Sequence, residues 1–324
     1  MIGLHHTGRL LACAMFACLG SVTVAQNYPT QVVRILVPYA PGGAPDLIAR
    51  TLTPRLSETF GQQFIVENKP GASGITAAQE VTRSPADGHL LLLSDIQQLA
   101  INPFLFSKLP YDPVKDFLPV SLAATVPLYI AVQSSLNVNS LSDLVRLAKE
   151  SPGAFTYGSP GNGSIHHIAM EVLKTALGLD IVHVPYRGAA PSVLGLLRGD
   201  TLLVIAAMPS LAPHVEAGKV KLLAATTLKR AAQAPNVATV SDFVPGFDFG
   251  SEMGFSVRAG TQSAIVDRLS REISASLKDP ATAQRLAAAG AVLFGTSADE
   301  YQENIRLNLI KFEKAVRLSG AKSE

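Results

Sequence analysis

An α/β protein built mostly on parallel sheet is what this sequence predicts, and three features predict it. Short aliphatic or β-branched runs alternate with stretches whose apolar residues recur every three or four positions. Two of those runs pass through a glycine-rich turn straight into a helix start, the unit from which parallel sheets are wound. The chain has 324 residues, 48% of them hydrophobic, enough for two domains at roughly 100–200 residues each.

Residues 1–25 read as a secretory signal. A weakly basic start (His5, His6, Arg9) leads into an apolar run from Leu10 to Leu19. Thr23 and Ala25 then place small residues at −3 and −1 before Gln26. The run is shorter than the ~20 residues that span a bilayer, which argues against an anchor. Cys13 lies too early for a lipoprotein signal. Cys13 and Cys18 are the only cysteines and both fall in this segment, so the exported chain holds no disulfide framework and no thiolate metal site. A soluble, periplasmic protein is expected. Lys plus Arg total 27 against 25 Asp plus Glu, with no basic stripe, which excludes a nucleic-acid partner.

The elements follow in order. Residues 32–37 form a β-branched strand that Pro38 stops. Pro41-Gly42-Gly43-Ala44-Pro45-Asp46 is a turn that becomes a helix carrying Leu47, Ile48, Leu52 and Leu56 on one face. Residues 64–67 are a strand, 76–83 a helix and 89–93 a continuous apolar strand. Residues 128–133 are another strand. Ser140 precedes a helix with Leu144, Leu147 and Ala148 inward, ended by Pro152-Gly153. Residues 155–158 are a short strand, and a Gly/Ser loop leads into a helix carrying Ile165, Ile168, Val172 and Leu173, stopped at Gly178. Strands follow at 181–184, 202–206, 222–225 and 255–257. Two helices close the chain: one with Ile265, Leu269 and Ile273 on a face and broken at Asp279-Pro280, the other over 298–318. No linker separates two domains, which favours one domain inserted in the other.

The chemistry concentrates at the two strand–turn–helix junctions, 38–46 and 157–167. Backbone N–H groups at a helix start have no intrahelical partner. Glycine lets an anion approach them, and the helix dipole favours negative charge. Each junction is therefore a candidate carboxylate or phosphate site, or an ordinary turn. Asp46 either stabilises its helix start, or orients the loop around a ligand or pairs with a ligand amine. Arg187 either clasps a carboxylate or forms a surface ion pair. His89, His183 and His214 have no acidic partner at a telling spacing, and adjacent His166 and His167 diverge too far on a helix to share a metal. No nucleophile elbow is present: Tyr157 stands where Gly-x-Ser-x-Gly needs glycine. No phosphate-loop signature occurs either.

The segments Val37-Pro38-Tyr39-Ala40-Pro41-Gly42-Gly43 with Asp46, Glu67-Asn68-Lys69-Pro70-Gly71-Ala72, Ser84-Pro85-Ala86-Asp87-Gly88-His89, Leu109-Pro110-Tyr111-Asp112-Pro113, Tyr157-Gly158-Ser159-Pro160-Gly161-Asn162-Gly163-Ser164 with His167, and His183-Val184-Pro185-Tyr186-Arg187-Gly188 carry a resemblance. Their order and spacing resemble the substrate-binding proteins of tripartite tricarboxylate transporters, the Bug family, over nearly the whole exported chain. The resemblance implies a type II periplasmic-binding-protein fold, two lobes with mostly parallel sheets and a cleft between them. The expected division is a first lobe of 26–125 and 251–324 and a second of 126–250. It implies a ligand carboxylate held by Tyr39, Ala40, Gly42, Gly43 and Asp46 from the first loop. From the second come Gly158, Ser159, Gly161, Asn162, Gly163, Ser164 and His167. Ser94 and Tyr186 complete the expected ligand set. No cofactor and no metal are implied.

The expected function is capture of a small mono-, di- or tricarboxylate, or an acidic amino acid, by a monomer that hands it to membrane permease subunits. The protein is not expected to be an enzyme. A receptor docking on a membrane signalling protein is the alternative, and a serine hydrolase using Ser159 or Ser164 with His167 is a third reading. The sequence departs from the family pattern in three places: Arg187 where Lys is common, no Trp near Met253 to Phe255, and an unusual acid at Asp95.

Overall fold

The alternating runs fold into two six-stranded sheets. The computed structural model describes residues 28–322, so the expected signal over residues 1–25 lies outside the described residues. The first sheet holds β1 (Val33–Val37), β2 (Phe64–Asn68), β3 (Leu90–Asp95), β4 (Phe117–Val126), β11 (Ser251–Arg258) and β12 (Val292–Leu293), in the order β12-β4-β11-β3-β1-β2. The second holds β5 (Leu128–Gln133), β6 (Phe155–Ser159), β7 (Ile181–Pro185), β8 (Leu203–Ala207), β9 (Val220–Ala225) and β10 (Ala238–Thr239), in the order β10-β9-β5-β8-β6-β7.

The chain crosses between the sheets at Pro127 and again over 240–250. β1 runs parallel to β2 and β3, and β6 parallel to β7 and β8. β11 is antiparallel to β3 and β4, and β5 is antiparallel to β8 and β9. The sheets are thus mixed, where mostly parallel sheets were expected. A strand that enters directly from the other sheet takes its direction from the crossing, not from a helical return.

Ten helices flank the sheets among the described residues: α1 (Ala44–Phe60), α2 (Ile75–Arg83), α3 (Asn102–Leu105), α4 (Leu141–Glu150), α5 (Ile165–Leu177), α6 (Ala189–Arg198), α7 (Met208–Glu216), α8 (Ser263–Lys278), α9 (Pro280–Ala288) and α10 (Ala298–Ser319). Their ends follow side-chain chemistry. Ser140 accepts from Asp143 N–H to open α4, and Ser297 with Glu300 forms a reciprocal capping box on α10. Asp279 ends α8 and immediately caps α9 by accepting from Thr282 N–H. None of these helices is long and apolar enough to cross a membrane.

Ile48, Leu52 and Leu56 of α1 and Ile265, Leu269 and Ile273 of α8 cover the first sheet over Ile35, Leu91 and Leu93. Ile168, Ala169 and Leu173 of α5 cover the second over Leu203 and Ile205. Each such leucine or isoleucine stabilises the fold by about 1.5–3 kcal/mol on burial. α10 belongs to both cores. Tyr301 and Ile305 pack with Leu92 and Leu122 of the first sheet, while Phe312, Ala315 and Val316 pack with the second.

Candidate functional site

Both glycine-rich turns leave the carboxyl end of a parallel strand, the position at which open α/β sheets bind ligands. In the first turn, Ala40, Pro41 and Gly42 are exposed. Gly42 has φ 91°, a conformation that favours glycine, and its N–H donates to Asp46 Oδ2 at 3.0 Å. Asp46 is buried. Its carboxylate also accepts from Arg50 Nε at 3.0 Å and from Asn68 Nδ2 at 2.9 Å. Asn68 Nδ2 reaches the Tyr39 carbonyl as well. Burial pushes the Asp46 carboxyl up, but Arg50, Gly42 and Asn68 outweigh it and hold it below its ordinary value. Asp46 therefore braces the turn from behind. It does not cap α1, whose start has no side-chain cap at all.

Beside this turn lies a buried amide network. Asp95 N–H donates to Gln98 Oε1 at 3.0 Å, and Gln98 Nε2 donates to the Tyr39 hydroxyl and to the Ser73 carbonyl, each at 3.1 Å. Asn102 Nδ2 reaches the same carbonyl at 3.0 Å. Ala72 and Ser73 have positive φ, and the two amides hold that strained bend in place. The Asp95 carboxylate accepts from Gln97 N–H at 2.8 Å and from Ser251 Oγ at 3.3 Å. Ser94 does not join this group. It is fully buried, bonds the Gly254 carbonyl, and lies on the sheet face covered by Tyr301 of α10. Gln98 was not singled out in the sequence, although Gln97-Gln98 inside an apolar run was a visible signal.

The second turn is bonded to itself. Ser159 is fully buried; its Oγ accepts from Gly161 N–H and bonds His183 Nε2 at 2.7 Å. Ser164 caps α5 by accepting from His167 N–H and donates to the Gly161 carbonyl at 2.7 Å. His167 Nδ1 accepts from Gly163 N–H at 3.0 Å. Gly163 has φ 72°, and a Cβ there would run into Leu105. Asn162 turns its amide to the Lys322 carbonyl. Gly158 lies against the Tyr186 ring, which also covers Gly195 of α6, so Tyr186 serves packing. Arg187 is exposed.

Behind this turn the His167 and His183 rings stack with centroids 4.0 Å apart, and Tyr157 stacks on His183. Burial, with His167 and Lys174 nearby, pushes His183 down to about 3. Burial lowers His167 and takes His166 down to about 4. All three are neutral at pH 7, so this turn presents amides and a dipole rather than cationic side chains. The hydrolase arrangement does not form: His167 points its ring at Gly163, and Ser159 pairs with His183. Among the described residues no carboxylate lies within ion-pair distance of His183, and no group of three or more His, Asp or Glu is placed to hold a metal.

A family model described as "Tripartite tricarboxylate transporter family receptor" matches residues 48–318. The chain belongs to this receptor family. BugT of Bordetella pertussis is 32% identical, with 92% of each chain aligned. An R. palustris protein solved with adipate is 34% identical, covering 91% of this chain and 99% of its own, with TM-score 0.84. MatC of Rhodopseudomonas palustris, with bound malate, is 27% identical over 89% of this chain and 100% of its own, with TM-score 0.79. The receptor shares with these structures the type II periplasmic-binding-protein fold, two lobes carrying one sheet each, and it is a solute-binding protein of a transport family.

Proposed function

We propose that this receptor captures a small carboxylate in a cleft between the lobe of 26–125 and 251–324 and the lobe of 126–250, and carries it through the periplasm to the membrane permease of a tripartite transporter. Residues 1–25 direct export and are removed. The protein acts as a monomer and turns nothing over. The observation that carries the reading is the bare start of α1. Asp46, the residue placed to cap it, is turned back onto Gly42, so the first-turn amides and the dipole are left for an anion. The second turn forms a prebonded wall of the same cleft: Gly163 N–H is already given to His167 Nδ1, and the turn offers the amides at the start of α5 that its own bonds leave free. Adipate and malate in two structural relatives support a carboxylate cargo. Ligand that touches both lobes favours the closed arrangement because only that state makes both sets of contacts.

Gly43 supplies the test. Its φ of −78° suits any residue, and a Cβ would meet Pro45 Cδ at an ordinary 3.7 Å. Gly43→Val therefore obstructs the α1 amides without straining the fold. In a thermal-shift screen against carboxylic acids, ligand at about 100 times its dissociation constant stabilises the wild type by roughly 2.7 kcal/mol. The variant should keep its unliganded melting temperature and lose that shift. An undiminished shift in Gly43→Val would remove the first turn from the site.

A further inference from the structure

Asp95 stands where three parts of the fold meet. It is the last residue of β3, whose neighbour β1 leads into the first glycine-rich turn. Its carboxylate bonds Ser251, the first residue of β11 after the second crossing. Tyr39, the aromatic residue of the turn, reaches it through Gln98, whose Nε2 donates to the Tyr39 hydroxyl and whose Oε1 accepts from Asp95 N–H. The residue is 7% exposed.

What distinguishes this carboxylate is its company. Asp46 has Arg50, Glu67 has Arg34, Glu80 has Arg34 and Lys69, and Glu171 has Lys174. Asp95 has Gln97 N–H and Ser251 Oγ, both neutral donors. Among the described residues no Lys, Arg or His nitrogen lies within ion-pair distance of it. A buried carboxylate without a countercharge carries a large desolvation penalty, and burial raises its pKa accordingly. Two oxygens provide about four acceptor sites, so two remain after these donors. A second ligand carboxylate near this point would meet like charge, whereas a cation would complete the pair.

We infer that Asp95 selects the distal group of the ligand and that it selects a cation: the cargo carries an ammonium as well as its carboxylate. This rests on the carboxylate-capture reading above. The carboxylate sits at the α1 start, Tyr39 and Gln98 span from that turn to Asp95, and the ammonium lies against Asp95 Oδ.

The test is calorimetric titration of the exported receptor near pH 7 with matched acids: succinate against 3-aminopropanoate, glutarate against 4-aminobutanoate, and succinate against aspartate. The tightest ligand should carry an ammonium and exceed its partner by about tenfold or more, the scale of a close charge pair. Asp95→Asn should bring that ratio close to one by weakening the ammonium ligand, with the succinate and glutarate affinities equal or improved. If the variant does not fold, the wild-type ratios decide. Equal or tighter binding of the dicarboxylates by the wild type, or an unchanged ratio in Asp95→Asn, overturns the assignment and leaves carboxylate capture standing. No binding of any acid in the panel overturns both.

Discussion

Substituting Gly163 with alanine separates two costs that the structure places at one residue. The first is backbone strain: at φ 72° an alanine is in the left-handed region, about 1 kcal/mol worse than glycine. The second is contact, because the new Cβ runs into the δ-carbons of Leu105, which is itself 4% exposed and anchored in α3. Crowding of that kind costs about 1–3 kcal/mol. Gly178 isolates the first cost. It ends α5 at φ 64°, and a Cβ there meets nothing within 4 Å.

Gly178→Ala should therefore lose about 1 kcal/mol or less, since restricting the unfolded chain returns about 0.4–1 kcal/mol. Gly163→Ala should lose about 1–3.5 kcal/mol on the same arithmetic. Leu105→Ala alone opens a cavity at about 2–5 kcal/mol. The double variant should fall short of the summed losses by about 1–2 kcal/mol, because each change relieves the other. Urea unfolding followed by far-ultraviolet circular dichroism measures all four. Equal losses for the two glycines, or strict additivity with Leu105→Ala, would show that the second turn does not rest on α3.

Acid should weaken the fold through the buried imidazoles. Unfolded histidine binds a proton near 6.5, whereas folded His183 binds one only near 3 and His166 near 4. The unfolded state therefore binds more protons between those values, and stability falls as pH drops through that window, by up to about 1.4 kcal/mol per pH unit per imidazole. Denaturant titrations from pH 7 to 4 should show the slope, and His183→Phe should flatten it. Asp46→Asn should cost about 1–3 kcal/mol near pH 7 by unpairing Arg50 and disturbing Gly42. The Asp46 pKa is depressed, so its contribution is complete above the ordinary aspartate range and is lost as pH falls through the folded value. The gap between wild type and variant should therefore close in acid. Ser297→Ala removes the capping box of α10 and should lower stability by about 1 kcal/mol in thermal melts.

Helices announced by local chemistry were legible in the sequence. Ser140 opens α4, and the 298–318 pattern becomes α10 almost residue for residue. β5 is found at its expected bounds because nothing interrupts its apolar run. β4 was not legible, since Pro119 sits in the middle of it. The structure accommodates that proline at a register shift opposite Phe255 and Ser256, a place where a missing N–H breaks no ladder. Asp279-Pro280 read as a stop, yet the same two residues start α9, because aspartate and proline suit a helix N-terminus.

The two glycine-rich turns were legible as candidate sites because their chemistry is local. A strand apolar on both faces does not reveal which way its last residues point; Leu90 and Leu92 put Ser94 on the α10 side, and Leu91 and Leu93 put Asp95 on the other. The Gln98 clamp depends on Tyr39 and Ser73, 59 and 25 residues away, and no window along the chain brings them together.

α10 ties the melting of one sheet to that of the other. A rod with Tyr301 seated in one core and Phe312 in the other cannot leave either without exposing both aromatic anchors. Heat should then unfold the molecule in a single calorimetric transition, despite two sheets that each have a core of their own. The same rod constrains any movement of one sheet against the other: such a movement has to carry α10 along or break its packing on one side.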